Sequence, residues 1–288
     1  KTNVYGTVWR AQATLIAMIL LALQGIPIRS WFVGALGGNN QLPVIAVASG
    51  KGGVGKTSVA VTLARALVAS GRKVGLVDAD LYGPDVPRML GLRRDTPAKS
   101  VTLASWVKGG GTDRPGSLEA MEVDGLQVAS AGFLMDGRQG LAIDSALGNM
   151  LLARLVRETA WRDVTALVVD LPPGTGDVRQ ALLGMVGLVA AVLVVTPAEV
   201  SHLDTSRALT VLRASRAHIL GGVENMAYLE CPSCGERTEL HVPTPEDRTI
   251  WAQGVPKLAR LPFRPDGLVE DDALSPVVST VIAHLDAA

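Results

Sequence analysis

Residues 49–58 read S-G-K-G-G-V-G-K-T-S. They contain the spacing G-x-x-x-x-G-K-[ST], with Gly50, Gly55, Lys56 and Thr57 in the fixed places. Glycine lacks a Cβ, so the backbone N–H groups of Gly50, Lys51, Gly52, Gly53, Val54 and Gly55 can turn inward around phosphate oxygens. Lys56 is placed to reach the β- and γ-phosphates, and the Thr57 hydroxyl to ligate Mg²⁺. Thr57 and Ser58 open a helix, whose N-terminus favours anions. The chemistry is the binding of a nucleoside triphosphate, with ATP and Mg²⁺ as the expected ligands.

Three further groups carry chemistry. Asp78-Ala-Asp80 follows an apolar run, and two carboxylates at a strand end suit Mg²⁺ and an attacking water; an acidic turn is the plain alternative. Asp170 ends another apolar run, where a carboxylate supports Mg²⁺. The Pro-Pro-Gly after it is rigid and then flexible, as a γ-phosphate sensor must be, and Asp177 either contacts the attacking water or caps the next helix. Cys231-Pro-Ser-Cys234 offers two thiolates on a tight turn. That is half of a four-coordinate site, which a dimer completes with two cysteines from each copy. Zn²⁺ and a [4Fe–4S] cluster are both admissible, as is a redox pair. His241 is a candidate ligand, although a lone histidine is more often incidental.

These residues need a scaffold that gathers strand ends. Residues 44–49, 73–78, 165–170, 190–196 and 218–224 are short, apolar and rich in β-branched side chains, as buried parallel strands are. Val59, Leu63, Ala66 and Leu67 recur at helical spacing, and Gly71 follows as a stop. Helices are also expected over residues 147–159, 203–216 and 276–285. Residues 126–130 and 257–261 read as short strands, and residues 93–122 as irregular. Strands alternating with helices predict an α/β fold, three-layered, with a mostly parallel, doubly wound sheet.

The chain has 288 residues, 48% hydrophobic and only 4% aromatic, so its core is aliphatic. Lys+Arg and Asp+Glu balance at 27 each, giving no bulk electrostatic case for nucleic acid. Two cysteines in one C-x-x-C give no disulfide framework, which fits a cytoplasmic setting. Residues 1–41 form a separate N-terminal apolar helix and linker, and residues 42–288 the nucleotide-binding domain. The apolar stretch 11–23 is shorter than the roughly 20 residues a membrane span needs. It reads as a packed or partner-binding helix, with membrane contact as the alternative. The sequence starts without Met, as a fragment or a processed form does.

The sequence G-K-G-G-V-G-K-T (50–57) resembles the deviant Walker A loop of the MinD and ParA superfamily. Together with V-D-A-D-L-Y-G-P-D-V-P (77–87), D-L-P-P-G-T-G-D (170–177), G-V-E-N-M (222–226) and C-P-S-C-G (231–235), it resembles the Mrp/ApbC family of iron–sulfur cluster carrier P-loop ATPases. That resemblance implies a homodimer with slow ATP hydrolysis, in which Lys51 reaches the partner's nucleotide. It implies Mg²⁺ held by Thr57 with Asp78 and Asp170, an attacking water oriented by Asp80, and adenine read by Asn225. It further implies a [4Fe–4S] cluster bound by Cys231 and Cys234 at the dimer seam and handed to apo iron–sulfur proteins. A MinD-like switch that binds a membrane or partner and a zinc-stapled ATPase dimer are the alternatives. Glu224-Asn225-Met226 is expected to end its strand.

Overall fold

The computed structural model describes residues 42–81, 83–92, 118–133, 148, 152, 155–156, 159–174, 188–242, 244–265, 267, 269 and 272–287. The apolar stretch 11–23, residues 93–117 and Asp177 lie outside them.

Val44–Ala48 forms β1, and every residue of it is buried. Lys56–Ala69 follows as α1 and Val74–Asp78 as β2. α1 stops as expected at Gly71: φ there is 88°, and the Gly71 and Arg72 N–H groups cap the Val68 and Leu67 carbonyls. A four-residue helix, α2, spans Val86–Met89. Then come β3 (Leu118–Glu119), β4 (Met121–Val123), β5 (Leu126–Ser130), β6 (Thr159–Ala160), β7 (Ala166–Asp170) and β8 (Leu188–Val195). Helix α3 covers Glu199–Ala214, and β9 covers His218–Glu230. The chain closes with β10 (Arg237–Glu239), β11 (Lys257–Pro262) and α4 (Ser275–Ala287).

Among the described residues, one sheet runs in the order β10-β9-β8-β1-β7-β2-β5-β4, with β11 added to β9. Neighbouring strands from β9 through β5 are parallel, and β4 and β10 are antiparallel additions. The α/β, doubly wound expectation holds. After β1 the chain goes to β2 and β5, returns to β7, and then crosses β1 to β8 and β9. The switch point therefore lies at β1, and the crevice beyond its carboxyl end is where open α/β sheets bind ligands.

The side chains of β1 divide the core. Ile45 and Val47 pack with Val59, Leu63 and Leu67 of α1 and with Val277 and Val281 of α4. Val44, Ala46 and Ala48 pack on the other face with Leu209 and Leu212 of α3 and with Leu152 and Leu155. Both faces are covered, which gives three layers and explains why the strands read as continuous apolar runs.

The structure departs from the sequence expectations in three places. The part of residues 93–122 that is described contains β3 and β4 rather than irregular chain. β4 and β5 are joined by Asp124 and Gly125, at φ 50° and 79°, which is the two-residue turn that matches strand twist. Gly148, Leu152, Leu155 and Val156 are helical, but Thr159 already belongs to β6, paired with Leu118. Finally, β9 does not end near Met226. It continues to Glu230 because its second half pairs with β10 and β11 instead of β8.

Candidate functional site

The turn between β1 and α1 is built so that only glycine fits at its two ends. A Cβ on Gly50 would lie 2.0 Å from the backbone carbon of Asp204 in α3. One on Gly55, at φ 82°, would lie 2.1 Å from Asn225 Nδ2. Between them, Gly53 is exposed, and a Cβ there would meet nothing within 4 Å. The loop is thus clamped at its ends and open in the middle, as a phosphate cradle requires. Two side chains from distant elements fix it. The Gly50 N–H donates to Thr205 Oγ1 at 3.1 Å, and Asn225 Nδ2 donates to the Val54 carbonyl at 2.9 Å. The Ser49 hydroxyl donates to the Lys51 carbonyl at 3.0 Å.

Helix α1 starts at Lys56 with no side-chain cap and no acidic residue in its first turn. Its leading N–H groups are left for an anion. Lys56 is buried and donates to Asp170 Oδ1, while the Thr57 hydroxyl donates to Asp170 Oδ2 at 2.7 Å. Lys51 is partly exposed and forms no ion pair with any described residue. Ser58 is likewise partly exposed, in the first turn of α1.

Asp78 and Asp170 end adjacent strands and stand opposite each other in the ladder. Both are fully buried. Asp78 accepts from the Ser130 hydroxyl at 2.9 Å and from the Val86 and Asp80 N–H groups at 3.3 Å each. Burial, reinforced by the neighbouring Asp170 carboxylate, pushes Asp78 up to about 8. Burial also raises Asp170, and Lys56 and Thr57 oppose that rise without cancelling it. Two buried carboxylates and a hydroxyl form an all-oxygen donor set that is short of positive charge. Such a set fits a hard divalent cation such as Mg²⁺. Asp80 is partly exposed beside this pair, and its Oδ1 accepts from the Gly83 N–H at 3.1 Å.

The cysteines sit elsewhere on the surface. Cys231 and Cys234 occupy the turn between β9 and β10, the former half-buried and the latter exposed. The turn is closed by the Cys231 N–H on the Glu236 carbonyl at 2.9 Å and the Gly235 N–H on the Cys231 carbonyl at 2.8 Å. Backbone N–H groups of Ser233 and Cys234 pull the Cys231 thiol below its ordinary range. A thiolate held in this way is a ready soft-metal ligand. No group of three or more His, Cys, Asp or Glu side chains placed to hold a metal exists among the described residues, so His241 does not complete a site with the two thiols.

With this geometry in hand, the relationships of the chain are informative. A ParA family model, described as NUBPL iron-transfer P-loop NTPase, matches residues 41–286. The chain belongs to this iron-transfer P-loop NTPase family. It is 34% identical over 238 residues to the iron-sulfur cluster carrier protein of Haemophilus influenzae, covering 83% of this chain and 61% of that one. It is 37% identical over 246 residues to the protein of the same name from Aquifex aeolicus, covering 84% and 63%. The chain therefore spans about three fifths of the length of these curated relatives. Among solved structures it is similar to the nucleotide-binding protein of Archaeoglobus fulgidus in complex with ADP. That match has 28% identity and a TM-score of 0.61, and covers 86% and 89% of the two chains. The cell division ATPase MinD of Pyrococcus furiosus shares the fold, at 23% identity and a TM-score of 0.57, over 84% of this chain and 98% of that one.

In this family member Lys56, Thr57, Asp78, Asp80 and Asp170 come together at the carboxyl ends of β1, β2 and β7. Asn225 is placed differently. Asn225 lies within β9, buried, with its amide on the phosphate loop instead of at a strand end. The neighbouring Met226 adopts a left-handed φ of 54°, and this kink aims Asn225 at the loop. Thr205 and Ser130 lie outside the motifs. Ser130 ends β5 as Asp78 ends β2, so aligning strand ends exposes it, whereas Thr205 carries no local signal.

Proposed function

We propose that this protein is an ATP-driven carrier of iron–sulfur clusters that works as a homodimer. The carrying observation is that one strand, β9, serves both sites. Its Asn225 fastens the phosphate loop, and its far end turns into the exposed Cys231–Cys234 hairpin.

Lys56 is tied to Asp170. Nucleotide binding transfers the ammonium group to the β- and γ-phosphates, while the backbone amides of residues 50–57 surround the phosphate oxygens. Thr57, Asp170 and Asp78 would hold Mg²⁺, which would offset charge on the phosphates. Asp80 orients the attacking water, and Lys51, partly exposed and without an ion pair among the described residues, completes the site of the second copy. Asn225 sits beside the loop that holds the nucleotide and reads the adenine base. The cluster is cargo. Each copy contributes two thiolates, so a [4Fe–4S] cluster is held between two hairpins and released to an apo iron–sulfur protein. The setting is cytoplasmic. No helix among the described residues is long and apolar enough to cross a membrane.

The test is anaerobic reconstitution with iron and sulfide, read by visible absorbance and metal counting. Wild type should turn brown with about four irons per dimer, and the Cys231→Ala/Cys234→Ala variant should stay colourless. A colourless wild type holding stoichiometric Zn²⁺ would make the hairpin a staple. No metal at all, combined with ATP-dependent binding to liposomes, would make the protein a membrane switch.

A further inference from the structure

Three observations meet on residues 224–230 of β9. First, the register against β11 slips here: Arg260 stands opposite Glu224, yet Pro262, two residues on, stands opposite Tyr228. Two extra residues of β9 are absorbed at the left-handed Met226, a conformation that is strained for a non-glycine side chain. Second, Glu224 is buried and ion-paired twice, to Lys257 at 2.9 Å and to Arg260 Nε at 2.8 Å. Third, the same guanidinium reaches over β9 to Glu239 on β10. Nη1 donates to Oε1 at 2.9 Å and Nη2 donates to Oε2. It lies 5.5 Å from the ring centre of Tyr228, and Arg237 lies 4.6 Å from the same ring. Arg260 therefore joins β11, the buried carboxylate of β9 and the returning arm of the cysteine hairpin.

We propose that Arg260 is the positioning residue of the cysteine hairpin, and that its bridge from Glu224 to Glu239 makes the two thiolates respond to the occupancy of the phosphate loop. Asn225 is adjacent to Glu224 and is hydrogen-bonded to the Val54 carbonyl, so a shift of the loop is felt at the Met226 kink. On one side of the kink, Glu224 is fixed by two cations. On the other, the hairpin hangs from the pairing of Tyr228, Leu229 and Glu230 with β10. Without the bridge, those three ladder positions would be a loose hinge. With it, the hairpin is braced against the strand that touches the loop. A surface ion pair alone is weak, but this one is bidentate and anchored on a buried carboxylate. The inference rests on the reading that the loop takes nucleotide and the hairpin takes the cluster.

The chain has only two cysteines, so thiol chemistry reports on the hairpin and nothing else. The experiment measures the rate of iodoacetamide alkylation by intact mass, on the full chain, with and without saturating Mg-ADP. Nucleotide affinity is followed by calorimetry and dimer fraction by sedimentation. Wild type should change its alkylation rate about fivefold or more on binding Mg-ADP. Glu239→Gln, an exposed change, should hold nucleotide affinity and dimer fraction but lose the response. Glu230→Gln is the control. It removes a charge of the same sign from the same hairpin, where Glu230 pairs with Arg237 at 3.5 Å, and leaves the bridge intact. It should respond as wild type does. A Glu239→Gln protein that keeps the wild-type response, or an equal loss in both variants, overturns the proposal. So does a wild type that binds Mg-ADP without any change in alkylation. A flat wild-type isotherm overturns the nucleotide reading itself, and the bridge along with it.

Discussion

Gly55 and Gly235 both have a left-handed φ, at 82° and 73°. A methyl group added to Gly55 would meet Asn225 Nδ2 at 2.1 Å, while one added to Gly235 would meet nothing within 4 Å. The contrast extends to the regions they belong to. The phosphate loop is defined by close packing at its two ends, and Lys56 behind it is buried against the Asp170 carboxylate. The cysteine turn is defined by backbone hydrogen bonds and by charge pairs at the edge of the sheet. A site that must stay in place between ligands is built from packing. The site proposed for the cluster is hung on contacts that can give.

The largest expected effects lie on the packed side. Lys56→Ala should weaken nucleotide binding by roughly 10- to 100-fold or more, measured by calorimetry. Lys51→Ala should keep much of the binding and stop hydrolysis, measured as phosphate release; full turnover would remove its role toward the second copy. Neither change should alter how readily the thiols alkylate in ligand-free protein.

The glycine pair sharpens the contrast. Gly235→Ala should cost about 1–2 kcal/mol from its left-handed backbone alone. Gly55→Ala adds an overpacking cost of about 1–3 kcal/mol and displaces Asn225. Equal losses in chemical denaturation would mean that the loop is softer than its contacts indicate.

Titration should act on the two regions in opposite directions. Asp78 sits at about 8 in the folded chain, far above its ordinary 3.8. The folded state then binds a proton that the unfolded state releases. Nucleotide- and cation-free protein should therefore lose stability as pH rises from about 4 through about 8. Asp78→Asn should flatten that fall. At Glu224, burial acts to raise the pKa, but Lys257 and Arg260 outweigh it and hold the group below its ordinary 4.5. Its contribution is present above that value and is lost as pH drops through the depressed one. Thermal melting from acid to mildly alkaline pH, with Asp78→Asn and Glu224→Gln, separates the two limbs.

The smallest effect on stability is expected at the cysteines. Cys231→Ala should change folding stability by less than about 0.5 kcal/mol, because the turn is exposed. It should leave nucleotide affinity intact while removing the cluster. Unfolding of this variant would mean that the thiols are structural.

The packed side was largely legible from the amino acids. The run of Val44, Ile45 and Val47, the glycines at 50 and 55, and the aspartates that end β2 and β7 are local patterns, and local patterns survive without a fold. The Asp124-Gly125 turn is equally local, but β4 has only three residues, too few to show an alternating pattern. On the hairpin side the two thiols on a tight turn were legible, but the contacts that brace them were not. Glu224 finds Arg260 thirty-six residues later, and Arg260 returns to Glu239 across twenty-one. Nothing in the spacing of these residues predicts that they meet. The continuation of β9 past Asn225 was hidden for a related reason. A methionine at left-handed φ gives no sequence cue, since the kink is stabilised by partners on other strands.

One feature of the sheet bears on how the protein should be handled. β10 is a short, charged, antiparallel strand laid along the end of β9, and its three residues are all exposed. Strands of this kind blunt an edge that would otherwise recruit other chains. Cutting out residues 231–239 to delete the cysteines would uncover the buried Tyr228 beside the already exposed Leu229 and leave the end of β9 unpaired. The expected product is precipitate, and its lack of colour would be mistaken for loss of a metal site. The thiols should be replaced one atom at a time, as in Cys231→Ser, so that solubility and cargo are read separately.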